Sequence, residues 1–121
     1  MLIFPHNAIR DHLLSTLGYP HDQDRLPNLD VLRKSEWCVE FEQRRRNRMV
    51  MGAMRYGLLS SPGKWEYDLW AGLERKLAIY AETGNLEAIV DAANYLMLIY
   101  MRPDHPNAHW RAEDDHTHCP R

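Results

Sequence analysis

Apolar side chains recur at intervals of three and four residues along most of the chain, which is the spacing of one face of an α-helix. No stretch shows the sustained alternation of apolar and polar positions that is typical of a strand. The pattern therefore predicts an all-α protein: one compact, four-helix bundle-like domain (residues 1–103) with an irregular C-terminal tail (residues 104–121). The predicted helices span residues 8–17, 35–56, 64–83 and 86–101.

Cap residues support these boundaries. Ser35 and Asn85 are favoured N-cap types in front of the second and fourth predicted helices. Gly57 and Gly84 follow the second and third, where a helix commonly ends in a left-handed residue. Residues 19–34 are rich in Pro, Asn and Asp, which favours a surface linker between the first two helices.

The fourth predicted helix is apolar in almost every direction, so we expect it to be buried on nearly all sides. Its only polar side chains apart from tyrosine are Glu87, Asp91 and Asn94, whose spacing places them on one narrow face. A buried carboxylate without a partner is strongly destabilising. These acids must therefore face an arginine, a divalent metal ion such as Mg²⁺, or water at an open edge.

The second predicted helix carries an acidic stripe beside a basic one. Carboxylates that hold Mg²⁺ and guanidinium groups that bind phosphate oxygens are what a metal-bound nucleoside polyphosphate needs. The alternative is a solvated helix on which acids and arginines pair at four-residue spacing. The acidic stripe comprises Glu36, Glu40, Gln43 and Asn47, and the basic stripe comprises Arg44, Arg48 and Arg55.

Further residues extend the candidate site. Glu74 flanks the apolar stripe of the third predicted helix, where it is either another acid of the site or an ordinary boundary residue. Lys64, Tyr56 and Trp65 lie at the junction of the second and third helices, where a cation and a ring could receive a phosphate and a base. Core packing of the two rings is the alternative.

Composition narrows the class of protein. The chain has 121 residues and a net charge of -2, which argues against an extended nucleic-acid-binding surface. No stretch is apolar for the roughly 18 residues that a membrane span needs. The two cysteines, Cys38 and Cys119, form no CxxC-like pattern, so we expect no disulfide framework and a cytoplasmic location.

The C-terminal tail combines imidazole and thiol groups, which suit Zn²⁺. Pro103 and Pro106 keep the first histidines off a regular helix. The histidines are therefore either incidental surface residues or, if the tail folds back, neighbours of the Asp91 face. The groups are His105, His109, His116, His118 and Cys119.

Two segments, "KSEWCVEFEQ" at residues 34–43 and "LEAIVDAANYLML" at residues 86–98, resemble the MazG-like all-α nucleoside triphosphate pyrophosphohydrolases. The resemblance implies a helical fold, Mg²⁺ held by ExxE and ExxD motifs on two helices, and cleavage of (d)NTPs to the monophosphate and pyrophosphate. It also implies a dimer or a tetramer.

The match to these motifs is partial. Asp91 occupies the position of the last acid of ExxD, and Glu74 that of the first acid of ExxE. Ala88 and Leu77 replace the other two acids, with Glu87 beside Ala88. Two alternatives follow: acids of the second predicted helix complete a rearranged site, or the fold is kept without the chemistry.

The leading hypothesis is Mg²⁺- or Mn²⁺-dependent hydrolysis of a nucleoside triphosphate by a homodimer or higher homo-oligomer. The alternative is a non-catalytic helical binding or interaction protein, such as a phage-type anti-defence or regulatory protein, in which the acids pair internally with arginines. The hypothesis assigns catalysis to Glu87, Asp91 and Glu74, metal binding to Glu36, Glu40, Glu74, Glu87 and Asp91, and substrate binding to Arg44, Arg48, Arg55, Lys64 and Asn94.

Overall fold

A computed structural model of the chain describes residues 27–111. The all-α prediction is confirmed for this part of the chain, in which no strand occurs. Within it, no helix is both long enough and apolar enough to cross a bilayer. The helix predicted at residues 8–17 lies outside the described residues. The helices are α1 (Leu29–Ser35), α2 (Val39–Tyr56), α3 (Leu69–Thr83) and α4 (Leu86–Met101).

The chain divides into two units, residues 1–42 and residues 43–121. The first unit contains α1 and the first turn of α2, and the second contains the rest of α2 with α3 and α4. The predicted domain limits stay a prediction. Of the tail predicted from residue 104 onward, residues 104–111 are described and form no helix.

The linker predicted at residues 19–34 is wrong over its last part, because α1 begins at Leu29. Asn28 caps this helix, since its side-chain oxygen accepts a hydrogen bond from the backbone N–H of Val31 at 3.0 Å. Asparagine is common both in turns and at helix N-caps, and the cap function prevails here.

α2 begins at Val39, later than predicted, because Ser35 belongs to α1 and residues 36–38 separate the two helices. Ser35, the predicted N-cap of α2, instead ends α1, with Glu36 as the C-cap. The Sγ atom of Cys38 accepts a hydrogen bond from the backbone N–H of Phe41 at 3.3 Å, which is the N-cap pattern. Cysteine is not a favoured cap type, so the sequence did not indicate this start.

α3 also begins later than predicted, at Leu69. Asp68 is its N-cap and accepts a hydrogen bond from the backbone N–H of Ala71 at 3.0 Å. Trp65 precedes the helix and donates its indole N–H to the carbonyl oxygen of Leu59 at 2.9 Å. Trp65 shares the spacing of the α3 apolar stripe, which is why the sequence pattern extended this helix too far.

Both predicted glycine stops are confirmed. Gly57 follows α2 with φ 91°, and Gly84 follows α3 with φ 72°. This left-handed conformation carries no Cβ penalty in glycine. α4 has the predicted limits, and Asn85 caps it by accepting a hydrogen bond from the backbone N–H of Glu87 at 3.0 Å.

α3 and α4 pack closely because Gly72 leaves room for the ring of Tyr95. A Cβ atom at residue 72 would lie 2.8 Å from the Tyr95 hydroxyl oxygen and closer still to two ring carbons. Small side chains elsewhere on α4 allow the same close approach. The buried apolar side chains of the described residues are Leu73, Ala88, Val90 and Ala92.

The prediction that α4 is buried on nearly all sides is wrong. Leu86, Leu96 and Tyr100 are 68%, 52% and 72% exposed. Their spacing places them on one side of the helix, which we call the apolar face of α4. A helix that is apolar all round is expected from sequence to be fully buried, but the described residues leave one side of α4 exposed.

Candidate functional site

The polar side chains of α4 meet α2, and one of them forms a bidentate ion pair. The Nε atom of Arg48 donates to Oδ1 of Asp91 at 2.9 Å, and its Nη2 atom donates to Oδ2 at 3.1 Å. The planar guanidinium group matches the carboxylate in this geometry, which adds direction to the charge attraction. Arg48 therefore links α2 to α4.

A second cation reaches the same carboxylate from α3. The Nζ atom of Lys76 lies 3.1 Å from Oδ2 of Asp91, whose side chain is only 11% exposed. Glu87, one turn earlier on α4, adds a longer contact of 3.5 Å between its Oε1 atom and Nη2 of Arg48. These two acids and two cations join three helices, and we call them the Asp91 cluster.

The cluster lowers the pKa of Asp91. Burial on its own raises the pKa of this carboxyl group, because it disfavours the charged form. The hydrogen bonds and charges of Arg48 and Lys76 outweigh burial and hold the pKa of Asp91 below its ordinary value. The hydrogen bond to Asp91 raises the pKa of Arg48 in turn, against partial desolvation. At neutral pH the central pair is therefore fully charged.

Asn94 ties α4 to α2 one turn further along. Its side-chain N–H donates to the backbone carbonyl oxygen of Arg45 at 3.0 Å, and its Oδ1 atom accepts from Nη1 of Arg45 at 3.4 Å. Nη1 of Arg45 also lies 3.1 Å from Sδ of Met97. In the described part of the chain, no buried side-chain nitrogen or oxygen lacks a hydrogen-bond partner. The polar face of α4 is thus satisfied by protein groups.

Of the acids predicted to hold Mg²⁺, Glu87 joins Asp91 in the cluster, where Arg48 contacts both. Both oxygens of Asp91 accept from cations, whose charge opposes a divalent metal ion at the same place. Glu74 lies two residues before Lys76, about 200° around α3 from the side chain that reaches Asp91. Glu36 and Glu40 belong to the first unit. No group of three or more His, Cys, Asp or Glu among residues 27–111 is placed to hold a metal ion, and Mg²⁺ binding stays a prediction.

The Asp91 cluster borders a cleft of about 720 Å³ within the second unit. Five cationic side chains and two carboxylates line this cleft, so positive charge dominates there. We call it the cationic cleft. Its cations are Arg48, Arg55, Lys64, Arg75 and Lys76, its acids are Asp68 and Asp91, and its rings are Tyr56, Trp65, Tyr67 and Tyr95.

Two arginines of the cationic cleft are available to a ligand. The side chains of Arg55 and Arg75 are exposed, and neither is engaged by another group of the described residues. Arg48 and Lys76 differ, because their charges are already directed at Asp91. Guanidinium groups bind phosphate oxygens in bidentate fashion, so the free pair favours a phosphate-bearing ligand.

Lys64 places a cation beside a ring on another part of the cleft. Its Nζ atom donates to the backbone carbonyl oxygen of Tyr56 at 2.9 Å and lies 5.5 Å from the centroid of the Tyr56 ring. An ammonium group has three N–H donors, so two remain for a ligand. A cation beside an aromatic ring suits a phosphate with an attached base.

The structure brings most of the predicted substrate-binding residues together. Arg44 does not line the cationic cleft, whereas Arg48, Arg55, Lys64 and Asn94 do. Of the predicted catalytic acids, Asp91 lines the cleft, but Glu74 and Glu87 do not. The cleft therefore contains predicted phosphate-binding groups and one ion-paired acid.

Sequence reasoning missed three cations of this region. A signal for one of them exists, because Lys76 lies four residues after Gly72, which contacts α4, and so shares that helix face. Arg45 lies three residues before Arg48 and shares its face of α2. A cation on a face that packs against a neighbouring helix indicates an ion pair or a hydrogen bond. The three are Arg45, Arg75 and Lys76.

Two histidines in the described part of the tail make local contacts. The backbone N–H of Asn107 donates to Nδ1 of His105 at 3.0 Å, and Nδ1 of His109 lies 2.8 Å from the carbonyl oxygen of Asn107. Trp110 is exposed. None of residues 104–111 lines the cleft that Asp91 borders. His116, His118 and Cys119 lie outside the described residues.

Compared with family models, with curated proteins and with solved structures, the chain matches none. The resemblance to the MazG-like family therefore stays a prediction from its motifs.

Proposed function

We propose that this chain is a non-catalytic helical binding protein whose cationic cleft takes a nucleotide. The observation that carries the proposal is the Asp91 cluster. The one predicted catalytic acid that lines the cleft is neutralised by two cations of the same chain. The proposal keeps the helical fold and the phosphate-binding groups of the leading hypothesis, and it omits the metal-dependent chemistry.

Charge and shape support an anionic ligand. The cationic cleft has three more positive than negative side chains, five against two, and both Arg55 and Arg75 are free to bind phosphate. A volume of about 720 Å³ lies within the range of small-molecule sites. The rings that line the cleft provide surfaces for a base.

The ion pairing of Asp91 argues against hydrolysis. A metal-bound water needs carboxylates that are free to coordinate the metal. Moving Arg48 and Lys76 away from Asp91 would leave their charges partly buried and unpaired, which is strongly destabilising.

Calorimetric titration tests the ligand. We expect a panel of dNTPs to bind in the presence of EDTA, and inorganic tripolyphosphate to bind more weakly because it lacks a base. Arg75→Gln should raise the Kd at least about tenfold, the effect of losing one charged hydrogen bond. The matched control is Arg33→Gln, which removes an equal charge from an exposed position outside the cleft and should leave the Kd unchanged.

A product assay with Mg²⁺ or Mn²⁺ tests the absence of chemistry. We expect no release of nucleoside monophosphate or pyrophosphate from any dNTP. Turnover that disappears in Asp91→Asn would overturn the non-catalytic proposal in favour of the pyrophosphohydrolase. If no nucleotide binds in the absence of metal and no turnover occurs, the nucleotide ligand itself is wrong.

We further propose that two copies of the chain pair through the apolar face of α4. Leu86, Leu96 and Tyr100 are exposed apolar side chains on one side of α4. Few apolar side chains are buried in the described residues. A symmetric dimer would bury this surface against its own equivalent, which is the commonest arrangement of homo-oligomers.

A further inference from the structure

A second, smaller cavity lies beside the segment that leads into α3. Its volume is about 350 Å³, and three aromatic side chains with two carboxylates and one guanidinium group line it. It shares a wall with the cationic cleft, but its charges are of the opposite kind. We call it the aromatic cavity, with Trp65, Tyr67, Trp70, Asp68, Arg102 and Asp104 as its characteristic lining.

The aromatic cavity already holds a cation of its own chain. The guanidinium carbon of Arg102 lies 4.5 Å from the centroid of the Trp65 ring, which is a cation–π contact. Arg102 follows α4 directly, and its backbone N–H donates to the carbonyl oxygen of Leu98 at 3.0 Å. The backbone is thus held by α4, whereas the side chain has no carboxylate partner among the described residues.

The charges of the aromatic cavity favour a second cation. Its two carboxylates and one guanidinium group leave one net negative charge. Asp68 accepts a hydrogen bond from the backbone N–H of Ala71 at 3.0 Å, and Asp104 accepts from the indole N–H of Trp70 at 3.4 Å. A carboxylate offers about four acceptor positions, so both acids retain free ones.

We propose that the aromatic cavity is a binding site for an organic cation, with Arg102 as the internal group that competes for the Trp65 ring. Aromatic side chains attract a cation through their ring faces, and this attraction grows as the site loses water. The carboxylates of Asp68 and Asp104 add long-range attraction and accept hydrogen bonds from a ligand that has N–H groups. This cation site does not require that a nucleotide binds in the cationic cleft.

Two probe cations separate the two kinds of contact. Tetramethylammonium has no N–H donor and tests the rings alone, whereas argininamide also tests the carboxylates. Each is titrated into the full chain at constant ionic strength, with NaCl as the control salt. Tryptophan fluorescence and the NMR signal of the Trp70 indole N–H report on binding. We expect saturable changes with at least one organic cation and none with Na⁺.

Variants test whether the site and its internal competitor are correctly assigned. Arg102→Gln should raise the affinity for the probe at least about threefold, because the Trp65 ring is released from a contact of this size. Asp104→Asn and Tyr67→Ala should each lower the affinity by a similar factor. Trp110→Phe is the matched control, since Trp110 is exposed and lies outside the cavity.

The binding measurements can either support or overturn the proposed cation site. Saturable binding that is strengthened by Arg102→Gln and weakened by Asp104→Asn supports the site. The proposal is overturned if neither cation binds to the wild type or to Arg102→Gln, or if binding is unchanged by all the cavity variants. None of these measurements contains a nucleotide, so their failure leaves the proposed function untouched.

Discussion

Asp91 is the residue on which the polar interior of this protein depends. It accepts hydrogen bonds from a guanidinium group of α2 and an ammonium group of α3, and it lies on α4. Replacing such a residue lowers folding stability strongly, because removing one partner of a buried ion pair leaves the other charge without compensation. Asn94 and Arg45 repeat the arrangement one turn later with weaker, partly neutral hydrogen bonds.

Asp91→Asn should destabilise the folded chain by about 3 kcal/mol at neutral pH, the lower end of the range for a broken buried pair. We choose the lower end because Arg48 and Lys76 keep partial access to water. Urea unfolding measures the loss. Asp30→Asn is the control, since Asp30 forms a long, exposed ion pair and should cost far less. Equal losses in the two variants would contradict a special contribution of Asp91.

The stabilisation by Asp91 should also depend on pH. Because folding lowers the pKa of Asp91, its contribution is fully present above the unfolded-state pKa of about 3.9 and is lost as the pH falls through the lower folded-state value. The difference in unfolding free energy between wild type and Asp91→Asn should therefore be constant near pH 7 and shrink below about pH 4. A difference that stays constant down to pH 2 would show that Asp91 does not act through its charge.

At the scale of elements, α4 was predicted correctly at both ends, whereas α2 and α3 were predicted correctly only at the ends marked by Gly57 and Gly84. α4 was correct at both ends because Asn85 caps its start and the chain turns to Pro103 after its end. The predicted starts of α2 and α3 were too early. A cysteine caps α2, and Trp65 has the spacing of the α3 apolar stripe although it precedes that helix. Periodicity identifies a helix, but caps decide where it begins.

A matched pair of helix glycines tests the packing of α3 on α4. Gly72→Ala should destabilise by about 1 to 3 kcal/mol, the cost of overpacking, because the new methyl group collides with the Tyr95 ring. Gly52→Ala, in the interior of α2, should be neutral or stabilise by up to about 1 kcal/mol, since nothing lies within 4 Å of its Cβ position. Both changes raise helix propensity equally, so similar stabilities for the two variants would contradict the close contact.

At the scale of the whole molecule, the exposed apolar side chains are the feature that bears most directly on stability and self-association. A chain that buries few large side chains gains little from its own core, and the described residues include no large side chain that is fully buried. The exposed apolar face of α4 therefore contributes little hydrophobic stabilisation to the described part of the chain. A second copy that covers this face would supply the missing burial.

Self-association is tested by light scattering on a size-exclusion column. In the proposed dimer, Leu96→Glu would bury a charge without a partner, so we expect this variant to be a monomer. Met54→Glu is the control, since Met54 is also apolar and exposed but lies on α2. A wild-type monomer at all concentrations, or a dimer that persists in Leu96→Glu, would refute pairing through α4.

The sequence by itself determined the helical class, the positions of α4 and of the glycine stops, and the alignment of Glu87, Asp91 and Asn94 on one helix face. These features follow from periodicity and from residues a few positions apart. Only the tertiary structure decided which cation forms an ion pair with Asp91. Arg48 is 43 residues away along the chain, and the choice between a guanidinium group and a metal ion depends on how three helices pack. That same packing left one side of an apolar helix open and placed Arg55 and Arg75 together in a cleft, because burial and long-range pairing are properties of the assembled helices.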